Sequence, residues 1–227
     1  MIFLVLGRGK TGRVVADVAN QHGHSVRVIG EEENTNASAL TGPMLAQFDA
    51  VIDFTTPQAA ISNMRACFAN GARVVVGTTG WYDKLNEMRA ICERRNAALL
   101  YGANFSVGIQ AMYRLARELV PLVHGYEISI SETHHEGKKD APSGTALAIK
   151  QALLEADPGL QVEIVSHREG EAVGTHTITA KSGDDVIQIR HEALSRRSFA
   201  EGAVRAAEWL CGKTGCYDFK EIYPRLL

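Results

Sequence analysis

Residues 2–12 read Ile-Phe-Leu-Val-Leu-Gly-Arg-Gly-Lys-Thr-Gly, a short apolar run followed at once by a glycine-rich turn. The turn fits the pattern GxGxxG, and it directly follows a predicted strand and opens a predicted helix. Glycines permit a tight turn and let the backbone approach a pyrophosphate, whose charge the N–H groups of a helix N-terminus stabilise. The alternative is a merely tight strand-to-helix connection. The predicted cofactor-binding residues of this turn are Gly7, Arg8, Gly9, Lys10, Thr11 and Gly12.

The end of the second predicted strand bears on the choice of dinucleotide. Glu31 stands where a carboxylate accepts hydrogen bonds from the adenosine ribose. Glu32 and Glu33 are interpreted as a solvated acidic loop. Because an acid at this place repels a 2′-phosphate and no arginine stands beside it, NADH is favoured over NADPH. Arg8 and Lys10, which can reach across, leave the use of both cofactors open.

Short apolar runs rich in β-branched residues recur along the first half of the chain, separated by stretches of helical character. They occupy residues 2–6, 26–29, 50–54, 73–76 and 98–101. This alternation predicts a parallel sheet with helical crossovers, an α/β fold of Rossmann-like type. The crossover at 30–49 is predicted to be rich in loops, because it is polar and Thr41-Gly42-Pro43 is expected to break any helix.

Two further strand ends carry small or hydroxyl-bearing residues at the edge where open α/β sheets bind ligands. Taken singly, each is typical of an ordinary turn. Together with the first glycine turn they predict one continuous crevice. The residues expected on its nicotinamide side are Gly77, Thr78, Thr79, Gly102, Ala103, Asn104 and Phe105.

The pattern changes in the second half of the chain. Helical spacing at 109–123 and 145–156 alternates with strand-like runs, and Ser182-Gly183-Asp184-Asp185 is typical of a hairpin turn. This predicts an α+β domain with an antiparallel or mixed sheet, followed by a final helix at 199–210. We therefore predict a dinucleotide-binding domain at 1–104 and 199–227, and a substrate-binding and oligomerisation domain at 105–198.

Composition narrows the classes of partner. A formal net charge of -2 over 227 residues gives no overall attraction to nucleic acid or to an anionic membrane, so a small-molecule partner is favoured. The chain runs from Met1 directly into a short apolar strand, too short for a signal peptide or a membrane span. Its four cysteines form no CxxC pair. A cytoplasmic protein with reduced thiols and without zinc is expected.

Reactive side chains are densest in the segment 132–145. A hydride added to an unsaturated substrate leaves charge that a proton must neutralise, and His134 and Lys138 are the candidate donors. Ser143-Gly144-Thr145 precedes a predicted helix, whose N–H groups and hydroxyls can hold a carboxylate. Lysine and helix N-terminus together select an anionic substrate.

Two other interpretations of this segment are weaker. Adjacent His134 and His135 suggest a metal site, but neighbours on a strand point to opposite faces and no further ligand completes a set, so no metal is predicted. A solvated surface loop is the commonest fate of such a charged run. Pro142 and Gly144 argue against it, because they fix the path of the chain into the helix.

The run ETHHEGKKDAPSGTA at 132–146 resembles the signature ExHHxxKxDAPSGTA of the 4-hydroxy-tetrahydrodipicolinate (dihydrodipicolinate) reductase family. The resemblance extends over nearly the whole chain, in the order of that family. The further matching segments are Asp53-Phe54-Thr55, Gly77-Thr78-Thr79-Gly80, Asn104-Phe105-Ser106-Val107-Gly108, Arg168-Glu169-Gly170, Gly174-Thr175-His176-Thr177 and Ser198-Phe199-Ala200.

The resemblance implies a reaction and roles for residues. The reaction is reduction of the substrate to tetrahydrodipicolinate with NAD(P)H, in the diaminopimelate route to lysine, with hydride added at C4. His134 is implied as proton donor and Lys138 as a second donor and substrate ligand. His135, Gly144 and Thr145 are implied to bind the dicarboxylate, facing the nicotinamide across a cleft between two domains that close on ligands. A homotetramer is implied as well.

The chain departs from the family pattern at two places, and both concern the choice of cofactor. The region 31–48 is shortened, and Lys10-Thr11 replaces the usual arginine of the glycine turn. Two rival functions stay open. One is an amino-acid or semialdehyde dehydrogenase with the same two-domain plan, and the other is a dinucleotide-sensing protein without catalysis. Intact His134, Lys138 and Thr145 argue against the second.

Overall fold

The computed structural model describes residues 1–226 and divides the chain into two compact units. The first unit holds Met1–Ser106 together with the C-terminal segment that starts at Arg196, and the second holds Val107–Ser195. Leu227, the last residue of the predicted domain segment 199–227, lies outside the described residues. The assignment of a dinucleotide to one unit and of a substrate to the other stays a prediction.

The elements are numbered in chain order. The strands are β1 (Ile2–Leu6), β2 (Ser25–Ile29), β3 (Ala50–Asp53), β4 (Arg73–Val76), β5 (Ala98–Tyr101), β6 (Glu127–His134), β7 (Val162–Arg168), β8 (Thr175–Lys181), β9 (Val186–Glu192) and β10 (Gly215–Asp218). The α-helices are α1 (Lys10–Gln21), α2 (Gly42–Leu45), α3 (Pro57–Ala69), α4 (Leu85–Arg94), α5 (Val107–Leu119), α6 (Gly144–Ala156), α7 (Arg197–Leu210) and α8 (Phe219–Ile222).

The first unit is built on a six-stranded sheet with the strand order β10-β5-β4-β3-β1-β2, and every pairing is parallel. Side chains of β1 alternate between two cores: Phe3 and Val5 pack with α1 and α7, whereas Leu4 and Leu6 pack on the side of α3 and α4. Strands covered on both faces need continuous apolar runs, which is what the sequence shows. The predicted Rossmann-like α/β fold is confirmed.

The register of this sheet brings its loops to one edge. Leu6 pairs with Ile29 and Asp53, and Val76 pairs with Asp53 and Tyr101. The carboxyl ends of β2, β1, β3, β4 and β5 therefore line up. The glycine turn and both predicted strand-end loops leave the sheet along this edge, where ligands of parallel sheets bind.

One local prediction for the first unit was wrong, and one strand was missed. Thr41-Gly42-Pro43 does not break a helix, because Thr41 is the N-cap of the short helix α2 and Pro43 lies in its first turn, where no N–H partner is lost. Strand β10 was not predicted at all. It adds the C-terminal segment to the edge of the sheet, parallel to β5.

The second unit contains a four-stranded mixed sheet with the order β7-β6-β8-β9. Strand β6 pairs in parallel with β7 and antiparallel with β8, as predicted for a mixed sheet. Ile128 and Ile130 of β6 pack with apolar residues of α5 and α6, which gives this unit its own core. Among the described residues, no helix combines the length and the apolar character that crossing a bilayer requires.

Candidate active site

The glycine turn after β1 has a backbone that two of its glycines make possible. Gly7 has a φ of 106°, and a Cβ there would lie 2.3 Å from the carbonyl oxygen of Phe54. A Cβ on Gly12 would lie 2.0 Å from the carbonyl oxygen of Gly7. Gly9 is the N-cap of α1, and a Cβ there would meet nothing within 4 Å. Backbone atoms therefore pack closely against Gly7 and Gly12, whereas the space beside Gly9 is open. This leaves room for a pyrophosphate at the N-terminus of α1.

A cavity of about 440 Å³ opens beside this turn in the first unit. The predicted residues Gly7, Arg8, Gly9 and Glu31 line it, whereas Lys10, Thr11 and Gly12 are not among its lining residues. Its polar lining also includes Asn34, Thr35, Thr55, Gln58 and Asn63. Glycine backbone at one end and hydrogen-bonding side chains at the other fit the pyrophosphate and adenosine parts of a dinucleotide.

Arg8 crosses from the glycine turn to the end of β2. Its guanidinium lies 2.6 Å from Oε2 of Glu33, and the same oxygen accepts a hydrogen bond of 2.9 Å from the N–H of Gly30. Glu33, interpreted as part of a solvated loop, is exposed and binds Arg8, which lines the cavity. The role predicted for the exposed Glu31 at the ribose stays a prediction.

A buried carboxyl group, Asp53, joins the ends of β3 and β4. Its Oδ1 accepts hydrogen bonds from the hydroxyl groups of Thr55 and Thr78, at 2.7 and 2.8 Å, and its Oδ2 accepts from Asn63 at 2.7 Å. Burial raises the pKa of Asp53, although these hydrogen bonds act in the opposite direction. In the sequence, Asp53 stands out only as part of a segment that matches the family. Its position at the end of an apolar strand was the available signal for a structural role.

The two strand-end loops predicted for the nicotinamide side are packed differently. Thr78 is buried and holds Asp53, and a Cβ on Gly77 would lie 2.2 Å from the ring of Phe54. In the other loop, Phe105 is buried against Phe219, with ring centroids 4.5 Å apart. Their neighbours Thr79, Ala103 and Asn104 are half-buried. Contact of any of these residues with a cofactor stays a prediction.

In the second unit, His134 ends β6 and is held from one side. Its Nδ1 is hydrogen-bonded to Oε2 of Glu132, two residues earlier on the same face of the strand. Arg168 of β7 binds Oε1 of Glu132 at 3.1 Å, and the N–H of Ser143 binds the same oxygen at 3.3 Å. Burial would raise the pKa of Glu132, but hydrogen bonds from Ser166, Arg168 and His134 lower it to about 2.

The opposite nitrogen of His134 faces a glycine. A Cβ on Gly174 would lie 3.0 Å from Nε2 of His134, so any larger residue there would cover this nitrogen. Burial lowers the pKa of His134 below its usual value, although Glu132 acts in the opposite direction. The arrangement fixes the ring through Nδ1 and leaves Nε2 as the nitrogen that can exchange a proton with a ligand.

His176 of β8 is buried and contacts both Ser143 and His134. Its Nε2 lies 3.1 Å from Oγ of Ser143, and its ring packs edge-on against His134 at 5.1 Å. Burial lowers the pKa of His176 to about 3, so the ring is neutral. Ligand-type atoms of Glu132, His134 and His176 lie within 4.8 Å of one another. This grouping was not predicted from the sequence, and the absence of a metal stays a prediction.

Lys138 and the N-terminus of α6 meet at one carboxylate. Nζ of Lys138 lies 2.8 and 3.0 Å from the two oxygens of Asp140. Burial would raise the pKa of Asp140, but Lys138 and the N–H of Gly144 lower it. Ser143 is the N-cap of α6, because its Oγ accepts from the N–H of Ala146 at 3.2 Å. The groups predicted to hold a substrate carboxylate thus already hold a carboxylate of the chain.

Family models cover almost the whole chain. A model described as dihydrodipicolinate reductase, N-terminus, matches residues 1–105, and one described as dihydrodipicolinate reductase, C-terminus, matches residues 108–223. The chain belongs to the dihydrodipicolinate reductase family. The family resemblance stated from the sequence is therefore confirmed.

Individual relatives agree with this family over their full length. A 4-hydroxy-tetrahydrodipicolinate reductase of Christiangramia forsetii is 35% identical over 242 residues, which covers 100% of this chain and 99% of the relative. A protein of the same name from Natronomonas pharaonis is 34% identical, with 97% and 98% covered. Membership of the dihydrodipicolinate reductase family makes the protein a pyridine-nucleotide-dependent oxidoreductase.

One solved structure of a dihydrodipicolinate reductase has the same fold. The dipicolinate-bound reductase of Paenisporosarcina sp. TG-14 superposes with a TM-score of 0.74 and covers 98% of this chain and 99% of its own. Its sequence identity is 24%, so this likeness shows the fold alone. It agrees with the observed combination of a parallel sheet and a second, mixed sheet.

Proposed function

We propose that the protein reduces 4-hydroxy-tetrahydrodipicolinate (dihydrodipicolinate) to tetrahydrodipicolinate with NAD(P)H, in the diaminopimelate route to lysine. The observation that carries the proposal is the buried His134, fixed by Glu132 through Nδ1 and facing Gly174 with Nε2. A site that had lost its catalytic activity would not be expected to retain a fixed imidazole together with a lysine and a helix N-terminus. The full-length relationship to proteins named for this reaction supports the choice of substrate.

His134 is the proton donor in this proposal. A bound NAD(P)H supplies the hydride that is added to C4 of the cyclic imine formed by loss of water. The resulting enamine takes up a proton from Nε2 of protonated His134, which leaves the imidazole neutral. Glu132 stabilises the protonated ring through Nδ1, since an ionised carboxylate next to an imidazolium favours the charged form.

The substrate carboxylates are held by Lys138, His135 and the turn Ser143-Gly144-Thr145. Lys138 is also a second candidate donor. Ser143 acts through its N-cap role, because its hydroxyl already accepts from the N–H of Ala146. A substrate carboxylate replaces Asp140 as the partner of Lys138 and of the helix N-terminus, where a negative charge is favoured. Substrate binding therefore exchanges one anion for another.

The cofactor is held in this proposal by the glycine turn and the cavity beside it, with NADH favoured. The residues concerned are Gly7, Arg8, Gly9, Lys10, Thr11, Gly12, Glu31, Gly77, Thr78, Thr79, Gly102, Ala103, Asn104 and Phe105. A 2′-phosphate would need the guanidinium of Arg8, which Glu33 already neutralises at 2.6 Å. NADPH binding would have to break that ion pair, so its apparent KM should exceed that of NADH.

The proposal extends to assembly and location. The protein is a cytoplasmic homotetramer without a nucleic-acid or membrane partner. Support for assembly comes from the second unit, where Val165, Val186 and Ile187 of its sheet and the following Leu194 expose apolar side chains to solvent. Sedimentation velocity tests it, because a monomer of 24.6 kDa and its tetramer differ fourfold in mass.

The decisive experiment is steady-state kinetics with the unstable imine generated in place by the synthase that precedes this step. Consumption of NADH or NADPH that depends on the synthase product supports the proposal, and the ratio of kcat/KM values for the two cofactors tests the preference. Oxidation of aspartate or homoserine with NAD would instead reveal the dehydrogenase function. Cofactor binding without turnover on any of these substrates would identify a dinucleotide-sensing protein.

A further inference from the structure

A second cluster of ionisable side chains lies in the first unit, between the C-terminus of α1 and the helix α7. His22 is the C-cap of α1, Gly23 turns the chain with a φ of 81°, and His24 directly precedes β2. Glu201 and Glu208 face them from α7, two helical turns apart and so on one face of that helix. The cluster lies at the amino end of β2, whereas the glycine turn follows the carboxyl end of β1, at the opposite edge of the parallel sheet.

Glu201 determines which ring nitrogen of His22 carries the proton. Its Oε2 lies 3.0 Å from Nε2 of His22, and since an ionised carboxylate only accepts, Nε2 must donate. In a neutral ring, Nδ1 then presents its lone pair to Oε1 of Glu208, 3.2 Å away. Two lone pairs at this distance repel each other unless a cation lies between them. That cation is either a second proton on His22 or a metal ion.

The geometry around Glu208 favours a metal ion. Its Oε1 also lies 2.7 Å from Nε2 of His24, so two imidazole nitrogens converge on one carboxylate oxygen. All three atoms lie within 4.8 Å of one another. In a tetrahedral zinc site with bonds of about 2.0 to 2.1 Å, neighbouring ligand atoms are roughly 3.3 Å apart. Protons on His22 and His24 would pair each imidazole separately with Glu208, whereas one metal ion binds all three groups at once.

His22 has an outer carboxylate partner, as metal-binding histidines usually do. Glu201 accepts from the nitrogen of His22 that points away from the cluster, and Arg197 holds the other oxygen of Glu201 at 2.8 Å. Such an outer carboxylate fixes the ring and raises its basicity. The side chains of His22 and Glu208 are 26% and 32% exposed, so an ion can enter and keep a water ligand. The negative end of the α1 dipole adds to the attraction for a cation.

We propose that His22, His24 and Glu208 bind one divalent transition-metal ion of the zinc type, with Glu201 orienting His22. Two imidazoles and one carboxylate form a ligand set that suits zinc, with a fourth position for water. The ion links helix α7 to the end of α1 and stabilises the first unit. This differs from the expectation of a protein without zinc, which rested on the cysteines and on His134 and His135.

The test is a titration of untagged, chelator-stripped protein with Co²⁺, which gains strong visible absorption bands when four-coordinate. One equivalent of Co²⁺ should produce the bands, and Zn²⁺ should displace it. His22→Asn and the isosteric Glu208→Gln should abolish the bands. Glu201→Gln should weaken binding about 10- to 100-fold without abolishing it. Zn²⁺ should raise the melting temperature of the wild-type protein but not of Glu208→Gln.

Two controls separate this site from other histidines. His124→Asn removes an exposed histidine elsewhere, and His176→Asn disrupts the cluster of the second unit; both should keep the bands. Wild-type protein without bands in a large excess of Co²⁺ overturns the proposal. Bands that survive in either His22→Asn or Glu208→Gln also overturn it, because the ion then binds elsewhere. Circular dichroism establishes that each variant is folded, and either variant alone suffices.

Discussion

His134 is fixed through one nitrogen and open at the other, and this asymmetry gives a direct test of its role. Removing a general acid typically slows a reaction by a factor of about 10² to 10⁴. His134→Gln should therefore lose kcat to that extent, while NADH affinity, measured by fluorescence titration, stays unchanged. His167→Gln, at an exposed position on the neighbouring β7, is the matched control. Near-normal turnover of His134→Gln would remove it as the donor.

Glu132 is hydrogen-bonded to Nδ1 of His134, so its effect on the proton donor should appear in the pH profile. The ionised carboxylate raises the pKa of His134 against the lowering effect of burial. In Glu132→Gln that support is lost, and the alkaline limb of kcat/KM, where protonated His134 disappears, should move to lower pH. Arg168 also loses its charged partner. A purely structural role would lower activity at every pH and leave the limb where it was.

The site residues that could be predicted are those whose chemistry is carried by a local pattern. His134, Lys138 and the Ser143 turn lie within one short segment, so their types and spacing are visible together. The contacts of Arg168 and His176 with this segment span more than thirty residues of sequence. They depend on the pairing of β6 with β7 and β8, which periodicity alone does not specify.

At the scale of elements, α7 packs so closely that one methyl group should disrupt it. A Cβ on Gly202 would lie 1.9 Å from the carbonyl oxygen of Phe105. Alanine favours a helix over glycine by about 1 kcal/mol, but relieving a backbone clash requires movement that costs about 1–3 kcal/mol or more. Gly202→Ala should therefore lower the free energy of unfolding in urea. Gly183→Ala, where nothing lies within 4 Å, should be nearly neutral.

At the N-terminus of α1, in contrast, replacement of a glycine should weaken ligand binding and leave stability almost unchanged. A Cβ on Gly9 would meet nothing within 4 Å, so Gly9→Ala should fold with a cost below about 1 kcal/mol. Its methyl group would point at the place proposed for the pyrophosphate. We expect the Kd for NADH to rise about tenfold, or 1.4 kcal/mol. An unchanged Kd with intact folding would mean that the dinucleotide does not use this turn.

Strands with continuous apolar runs were predictable, whereas elements that depend on neighbours were not. Strand β10 has only four residues, all half-buried, and it exists because β5 offers a free edge. Helix α2 forms where proline was expected to prevent a helix, because proline is harmful only where its missing N–H is needed. Both elements are set by context that a window of local sequence does not contain.

At the scale of the whole molecule, the buried imidazoles of the second unit should make stability depend on pH. His176 is 3% exposed, and burial lowers its pKa to about 3, against about 6.5 in an unfolded chain. Between these values the unfolded state binds one more proton than the folded state. The stability linked to His176 is therefore complete above pH 6.5 and is lost as the pH falls towards 3.

The expected slope from His176 approaches about 1.4 kcal/mol per pH unit, the value for one proton. Burial lowers the pKa values of His134 and His191 as well, which adds to the slope in the same direction. Glu132, with a pKa of about 2, contributes only below about pH 4.5, so urea unfolding between pH 5 and 6.5 leaves its contribution out. His176→Asn should reduce the slope there, and the exposed His124→Asn should keep it. If His176→Asn and His124→Asn showed equal slopes, His176 would be protonated in the folded protein as well as in the unfolded one. Folding would then release no proton from it.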